Sequence, residues 1–479
     1  MNSRCRPDDV GLPTDPRVAR VADGLLPITL LEGDDTRWTV EERCAFYGCP
    51  GLSVAVMEQG EIAWATGFGR TESGGRPVDA QTAFAGASLS KPLTATLALQ
   101  LVEQGLVSLD APINGFLSSW KVPENEFTRQ APVTLRWLLS HRAGTTVHGF
   151  GAGPPGARPP SALDVLEGRP PAWTPPVRVD KTPGGTARYS GGGMTIVQLL
   201  LEEITGFDFA TLAKRRIFDP LGMTQSTFFH PLPADFTANA AIGHGDGGVP
   251  IPEKWLLTPQ LAAGGVYTTA RDYAAFMLAC RDAWLGKPNA LLGQAIAQEM
   301  MRRESDQAYG LGWMLLHSGS RMRFGHGGAN DGYQAEATCY LERGDGAVVL
   351  TNATSGLIFY WEVFNAIADV HGWGDFMRPP KRERKIQPEE FERYVGDYDV
   401  ISGPGFPLMQ VFVEDGILKS NMPGMRGGAR QMRMDQDGRF FHMFGPYDTV
   451  PVWGPDGKAQ ELRVLRDGET EVMRVRRRA

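Results

Sequence analysis

Four Asp-Gly dipeptides, at Asp415-Gly416, Asp437-Gly438, Asp456-Gly457 and Asp467-Gly468, punctuate the C-terminal end of this 479-residue chain. Short alternating or apolar runs such as Gln410–Val413 and Leu462–Leu465 lie between them. Asp-Gly tolerates the positive φ that a two-residue hairpin turn demands, so residues 388–479 are expected as an antiparallel meander or small barrel. The basic run RPPKRERKIQPEE, residues 378–390, marks the boundary before it and reads as a solvated linker rather than a nucleic-acid patch.

Upstream the pattern is mixed. Residues 1–22 read as a polar arm. Strand-like runs follow at Leu52–Glu58 and Ile62–Gly67, with a turn at Gln59-Gly60, and strand signals return at Arg321–Phe324, Gln334–Leu341 and Ala347–Thr351. Between Lys91 and Gln104 apolar residues recur at Leu93, Leu97 and Leu101, which predicts a helix closed by Gly105. Further helices are expected at Leu135–Leu139, Met194–Ile204 and Ile358–Val370. Residues 144–188 are rich in glycine and proline, and a long irregular stretch inside a domain is usually functional, so they are read as a loop wall. The layout is α/β, with expected segments 1–22 (arm), 23–377 (mixed α/β) and 388–479 (all-β).

Composition narrows the function classes. A net charge of −7 gives no general attraction to nucleic acid or anionic lipid. No apolar run reaches the ~20 residues of a membrane helix. The N-terminal residues hold no apolar signal core, so a cytoplasmic setting is expected. Five scattered cysteines, Cys5, Cys44, Cys49, Cys280 and Cys339, are read as free or buried thiols.

The chemistry enters at FAGASLSKPLTATLALQL, where Ser88 and Lys91 form S-x-x-K at a helix start. Residues three apart share a helix face, so the amine can approach the hydroxyl. A lysine whose pKa falls on burial can serve as a neutral base for an otherwise weak nucleophile. Alone the motif is common, and a capping serine explains it equally well. Two further elements follow in order: Tyr189-Ser190-Gly191 after the loop, and His326-Gly327-Gly328 beside a strand signal. Tyr189 alone would pass for a half-buried aromatic, and His326 alone for a core histidine.

Taken together these motifs resemble the penicillin-recognising serine hydrolases: class C β-lactamases, DD-peptidases, D-aminopeptidases and β-lactamase-like esterases. The resemblance spans roughly residues 45–372 and includes Leu138-Leu139-Ser140-His141-Arg142-Ala143-Gly144, the segment from Ala263 to Asp272, and Tyr309-Gly310-Leu311-Gly312-Trp313. It implies a β-lactamase-like fold, an antiparallel sheet flanked by helices beside a helical region, with a C-terminal module resembling a small lipocalin-like domain. It implies Ser88 as nucleophile, forming an acyl-enzyme, with Lys91 and Tyr189 sharing the proton work and either serving as base. An ammonium at Lys91 is expected to pull the Tyr189 phenol below its ordinary value. The strand carrying His326, Gly327 and Gly328 is expected at the sheet edge beside the cleft, and the backbone N–H groups of Ser88 and Ala329 as the oxyanion hole.

Two departures bear on substrate. Gly191 stands where the family often has asparagine, and His326 where lysine is usual; a histidine there is largely neutral at pH 7. Both weaken recognition of an acylamino-carboxylate. A small ester or amide therefore ranks first, a short peptide second and a β-lactam or DD-peptidase substrate third, with acyl transfer as a variant. A non-catalytic penicillin-binding or sensor protein is the alternative of another class. The glycine- and proline-rich loop is a candidate wall for an acyl pocket, with Trp173 as a candidate lining residue. Gly86-Ala87-Ser88-Leu89-Ser90 lacks the second glycine of an α/β-hydrolase elbow, His244-Gly245-Asp246 reads as a polar loop, and Gly149–Gly153 does not lie between a strand and a helix. No cofactor, metal, nucleic acid or membrane partner is implied; the substrate is a small molecule or short peptide, and self-association is open.

Overall fold

The computed structural model describes residues 15–151, 160–288, 291–304, 308–402, 407–423, 428–443, 445, 447–466 and 468–478. The chain forms two compact units: Met1–Ala22 with Thr39–Tyr360, and Asp23–Trp38 with Trp361–Ala479. This differs from a division inside 378–390, because residues 23–38 and 361–377 pack with the C-terminal part rather than with the mixed one.

The first unit is built on strands β1 (Gly51–Glu58), β2 (Glu61–Gly69), β3 (Phe84–Ala87), β4 (Val266–Thr268), β5 (Met314–Leu316), β6 (Arg323–Asn330), β7 (Tyr333–Tyr340) and β8 (Gly346–Thr351). Six of them form an antiparallel sheet in the order β2-β1-β8-β7-β6-β5, while β3 and β4 make a separate ribbon. β1 is apolar apart from Ser53 and its terminal Glu58, and is buried on both faces from Gly51 to Met57; β2 alternates in burial, as a strand with one wet face does. The turn between them has positive φ at both Gln59 (52°) and Gly60 (85°), the hairpin geometry expected from the sequence.

The Ala270–Trp284 helix packs on β1 and β8. The Ser90–Glu103, Leu135–Leu139, Gly191–Thr205 and Leu261–Gly264 helices pack on one another. Ser90–Glu103 is buried almost all round, from Ser90 to Leu101, which marks a central helix rather than an amphipathic surface one. Its last turn closes with Gly105 at φ 72°. The expected arm is not wholly irregular: Pro16–Ala22 is a helix that buries Val18 and Val21, three apart on one face, and Arg17 bridges to Glu58 at 2.9 Å. Residues 1–14 of that arm, with Cys5, lie outside the described residues. Cys44, Cys49, Cys280 and Cys339 are free thiols.

In the second unit the Asp-Gly turns join consecutive strands. Asp415 (φ 53°) and Gly416 (φ 72°) link Leu408–Glu414 to Ile417–Asn421. Asp437-Gly438 links Arg433–Asp435 to Phe440–Phe441, and Asp456-Gly457 links Tyr447–Trp453 to Ala459–Arg466. Gly468 lies between Ala459–Arg466 and Thr470–Arg477, while Asp467 lies outside the described residues. The first strand, Gly396–Ser402, pairs with both Leu408–Glu414 and the last strand, and residues 430–435 pair with neighbours on both sides, so the meander closes on itself. Its interior is rich in methionine: Met409, Met422, Met432, Met434 and Met473.

The basic run before it is not a solvated linker. Lys381 pairs with Asp435 (2.8 Å) and Asp448 (3.1 Å), and Arg378 also pairs with Asp448. Glu383–Arg384 adds a short strand against Met434–Asp435. The carboxylates lie more than fifty residues downstream, so nothing local in the run announces them. Asp448 is 1% exposed, and removing it takes the carboxylate from Arg378 and leaves Lys381 with Asp435 alone. Asp448→Ala is expected to cost about 3–5 kcal/mol, read as a lowered urea midpoint; a midpoint equal to that of the wild type would contradict a structural role for the cluster.

Candidate active site

Ser88 sits where β3 ends and the Ser90–Glu103 helix begins. The turn is forced: Ala87, a non-glycine residue, has φ 48°, a conformation that persists only when surroundings impose it. Ser90 imposes it in part, its hydroxyl donating to the Ala87 carbonyl (2.7 Å) while accepting from the Val266 N–H (2.9 Å). This ties β3, the turn and β4 together and presents the half-buried Ser88 hydroxyl to a cavity.

Lys91, one helical turn on, places Nζ 2.9 Å from Ser88 Oγ and donates to the Ala263 carbonyl at 2.6 Å. Burial lowers its pKa from 10.5 to about 7. A neutral amine that gives one N–H to Ala263 keeps its lone pair for the Ser88 proton. The Tyr189 hydroxyl donates to Ser88 Oγ from the other side at 2.8 Å, and Lys91 Nζ lies 4.8 Å from the Tyr189 ring centre. The expected lowering of the Tyr189 pKa is not found. Burial pushes the phenol upward, with Tyr309 adding to the rise, because Tyr189 is enclosed and its ammonium neighbour is itself easily deprotonated. At neutral pH it is a phenol, a donor.

The third motif lies on β6, which is not the outermost strand. The edge is β5, but it covers only Arg323–Gly325, so His326–Asn330 runs on past its end. Gly327, Gly328 and Ala329 line the cavity together with Ser88, Lys91 and Tyr189. A Cβ at Gly328 would stand 2.2 Å from the Gly86 carbonyl, so only glycine lets β6 approach the turn that carries Ser88. His326 is buried with its ring centre 6.1 Å from that of Tyr189, and Nδ1 lies 2.6 Å from the Gly327 carbonyl. Burial and the nearby Lys91 push its pKa down to about 3, so it is neutral, as expected, and supplies no cation.

Three aromatic neighbours escaped the sequence reading as site residues. His141, in the left-handed region at φ 60°, places its ring 4.4 Å from Tyr189, and Tyr309 stands 5.1 Å from His141. His148 packs at 5.1 Å on Tyr189 and lines the cavity. Burial holds both histidines below their ordinary pKa. The cavity, about 360 Å³, also takes in Phe150, Leu256, Gln260 and Leu357. Trp173 is not among its lining; its indole N–H donates to the Gly151 carbonyl at 2.9 Å and anchors the loop instead. His244 is fully buried, Nδ1 3.0 Å from the Asn352 carbonyl, rather than in an open polar loop. Gly149 and Gly151 belong to the cavity wall, and Gly153 lies outside the described residues. No helix among the described residues is long and apolar enough to cross a membrane.

Known proteins share this fold. The family model described as Beta-lactamase matches residues 37–358. Penicillin-binding protein 4 of Amycolatopsis lactamdurans is 26% identical over 340 residues, covering 66% of this chain and 84% of that protein. The lovastatin esterase of Penicillium rubens is 28% identical over 244 residues, 43% of this chain and 57% of the esterase. Among solved structures, the octameric penicillin-binding protein homologue from Pyrococcus abyssi superposes with a TM-score of 0.60 at 20% identity, covering 91% of this chain and 98% of that one.

Proposed function

The chain belongs to the Beta-lactamase family and is a β-lactamase-like serine hydrolase, and from that premise we propose that it cleaves an ester or amide of a small molecule or short peptide through an acyl-enzyme on Ser88. The observation that carries this reading is the pair of contacts on Ser88 Oγ, from Lys91 Nζ at 2.9 Å and Tyr189 Oη at 2.8 Å. Neutral Lys91 takes the Ser88 proton as Oγ attacks the carbonyl carbon. The N–H groups of Ser88 and Ala329 receive the negative charge that develops on the carbonyl oxygen. Tyr189, a phenol, passes its proton to the leaving group and is reprotonated from Lys91. Water then attacks the acyl carbon, giving its proton along the same path in reverse, and the acid leaves with Ser88 restored. Gly327 and Gly328 hold the substrate strand, and neutral His326 offers no charge to a carboxylate, which supports a small ester or amide above a β-lactam. The buried thiols of Cys49, Cys280 and Cys339 are compatible with a reducing, cytoplasmic setting.

The pH dependence tests the base. If neutral Lys91 is required, kcat/KM for p-nitrophenyl butyrate rises with pH along a limb centred at about 7, where Lys91 loses its proton. His326, at about 3, and His141, well below its ordinary value, contribute no limb there. A profile flat through neutrality, or one falling there, would count against Lys91 as base.

A further inference from the structure

The bare Gly191 leaves a space that another residue fills. A Cβ at Gly191 would stand 2.7 Å from Cε2 of Phe150 and 3.3 Å from the His148 carbonyl. The loop that carries Phe150 is clamped there. The Gly191 and Gly192 N–H groups donate to the carbonyls of His148 and Val147, both at 3.0 Å, and the Ser190 hydroxyl donates to the Thr146 carbonyl at 2.7 Å. The next two glycines serve the same approach: a Cβ at Gly192 would lie 2.7 Å from the Thr146 carbonyl, and one at Gly193 2.9 Å from the Thr145 hydroxyl. At its other end the Trp173 indole holds Gly151. The Phe150 ring is thus fixed where the side chain of residue 191 would otherwise project, on the wall of the cavity that holds Ser88 and Tyr189.

That exchange alters what the wall can recognise. An amide side chain would offer a donor and an acceptor to an acylamide; a phenyl ring offers neither and favours contact with apolar surface. Leu256, Leu257 and Leu357 extend the apolar lining. Among the described lining residues Lys91, the proposed base, is the one lysine or arginine, so the wall has no spare cation for an anionic acyl group.

We propose that Phe150 is a specificity-determining residue that packs against the acyl part of the substrate, so that the enzyme prefers uncharged, apolar acyl groups over acylamino or anionic ones. This rests on the acyl-enzyme reading above. The test uses the full chain and four esters: p-nitrophenyl acetate, butyrate, hexanoate and the anionic hemisuccinate. In the wild type kcat/KM rises from acetate to hexanoate, and butyrate exceeds hemisuccinate. Phe150→Ala lowers the hexanoate-to-acetate ratio about tenfold, the effect of withdrawing one ring face from contact. Phe150→Leu, which keeps apolar bulk, retains most of the ratio and separates lost contact from misfolding. Gly191→Asn, which drives a side chain into the ring, lowers the ratio as well. A ratio unchanged or raised in Phe150→Ala overturns the assignment while Ser88-dependent turnover persists. Absence of Ser88-dependent turnover of every ester by the wild type overturns the hydrolase reading itself, and this assignment with it.

Discussion

Ser88→Ala is expected to lower kcat/KM for p-nitrophenyl butyrate by on the order of 10⁴-fold or more, because no other hydroxyl stands where Ser88 does. The turn that presents it is held by Ser90, whose contacts with the Ala87 carbonyl and the Val266 N–H do not depend on the Ser88 side chain. The variant therefore keeps the cavity, Lys91 and Tyr189 in place, and the loss reads on the nucleophile alone. Steady-state kinetics at matched concentration and a thermal melt check both halves of this expectation. A variant that folds and retains wild-type turnover would show that the hydrolysis arises elsewhere.

Lys91→Met is expected to cost about 10³-fold in kcat/KM, within the range for removing a general base, and to abolish the limb near neutral pH. It is also expected to fold at the wild-type Tm or above it. The folded pKa of Lys91 is about 7 against an ordinary 10.5, so between these values the unfolded chain binds more protons than the folded one, and the contribution of Lys91 to stability rises with pH. The buried amine thus costs most stability at and below neutral pH, and the cost shrinks as pH climbs toward 10.5. Melts of variant and wild type across that window should converge with rising pH. A variant that melts well below the wild type would mean that the hydrogen bonds to Ser88 and Ala263 outweigh the burial of the amine.

Much of the site was legible because its chemistry sits at fixed local spacings. Ser88 and Lys91 are one helical turn apart, and that proximity follows from the helix alone. Tyr189 and the strand at His326 were readable through their order along the chain, although the structure sets β6 beside a short edge strand instead of at the edge itself. The hairpins of the second unit were readable because each turn needs a positive φ that its glycine supplies, at Gly416, Gly438, Gly457 and Gly468, with Asp415 sharing it in the first.

What escaped depends on contacts between distant segments. Phe150 matters only because Gly191, forty-one positions later, leaves it room, and neither residue alone says so. The His141 ring reaches Tyr189 through a left-handed backbone at a residue type that rarely adopts it. Arg378 and Lys381 read as solvated cations until the fold brings Asp435 and Asp448 to them. The Tyr189 shift runs opposite to the sequence expectation for a related reason: a neighbouring charge is visible in sequence, whereas the degree of enclosure is not.

The central claim is a covalent acyl group on Ser88. Rapid acid quenching of wild type and Ser88→Ala during turnover of p-nitrophenyl butyrate, followed by intact mass and peptide mapping, tests it most directly. The account predicts one butyryl group on the peptide that contains Ser88 in the wild type and none in the variant. Turnover with no acylated Ser88 peptide, or an equal adduct in the variant, would contradict it.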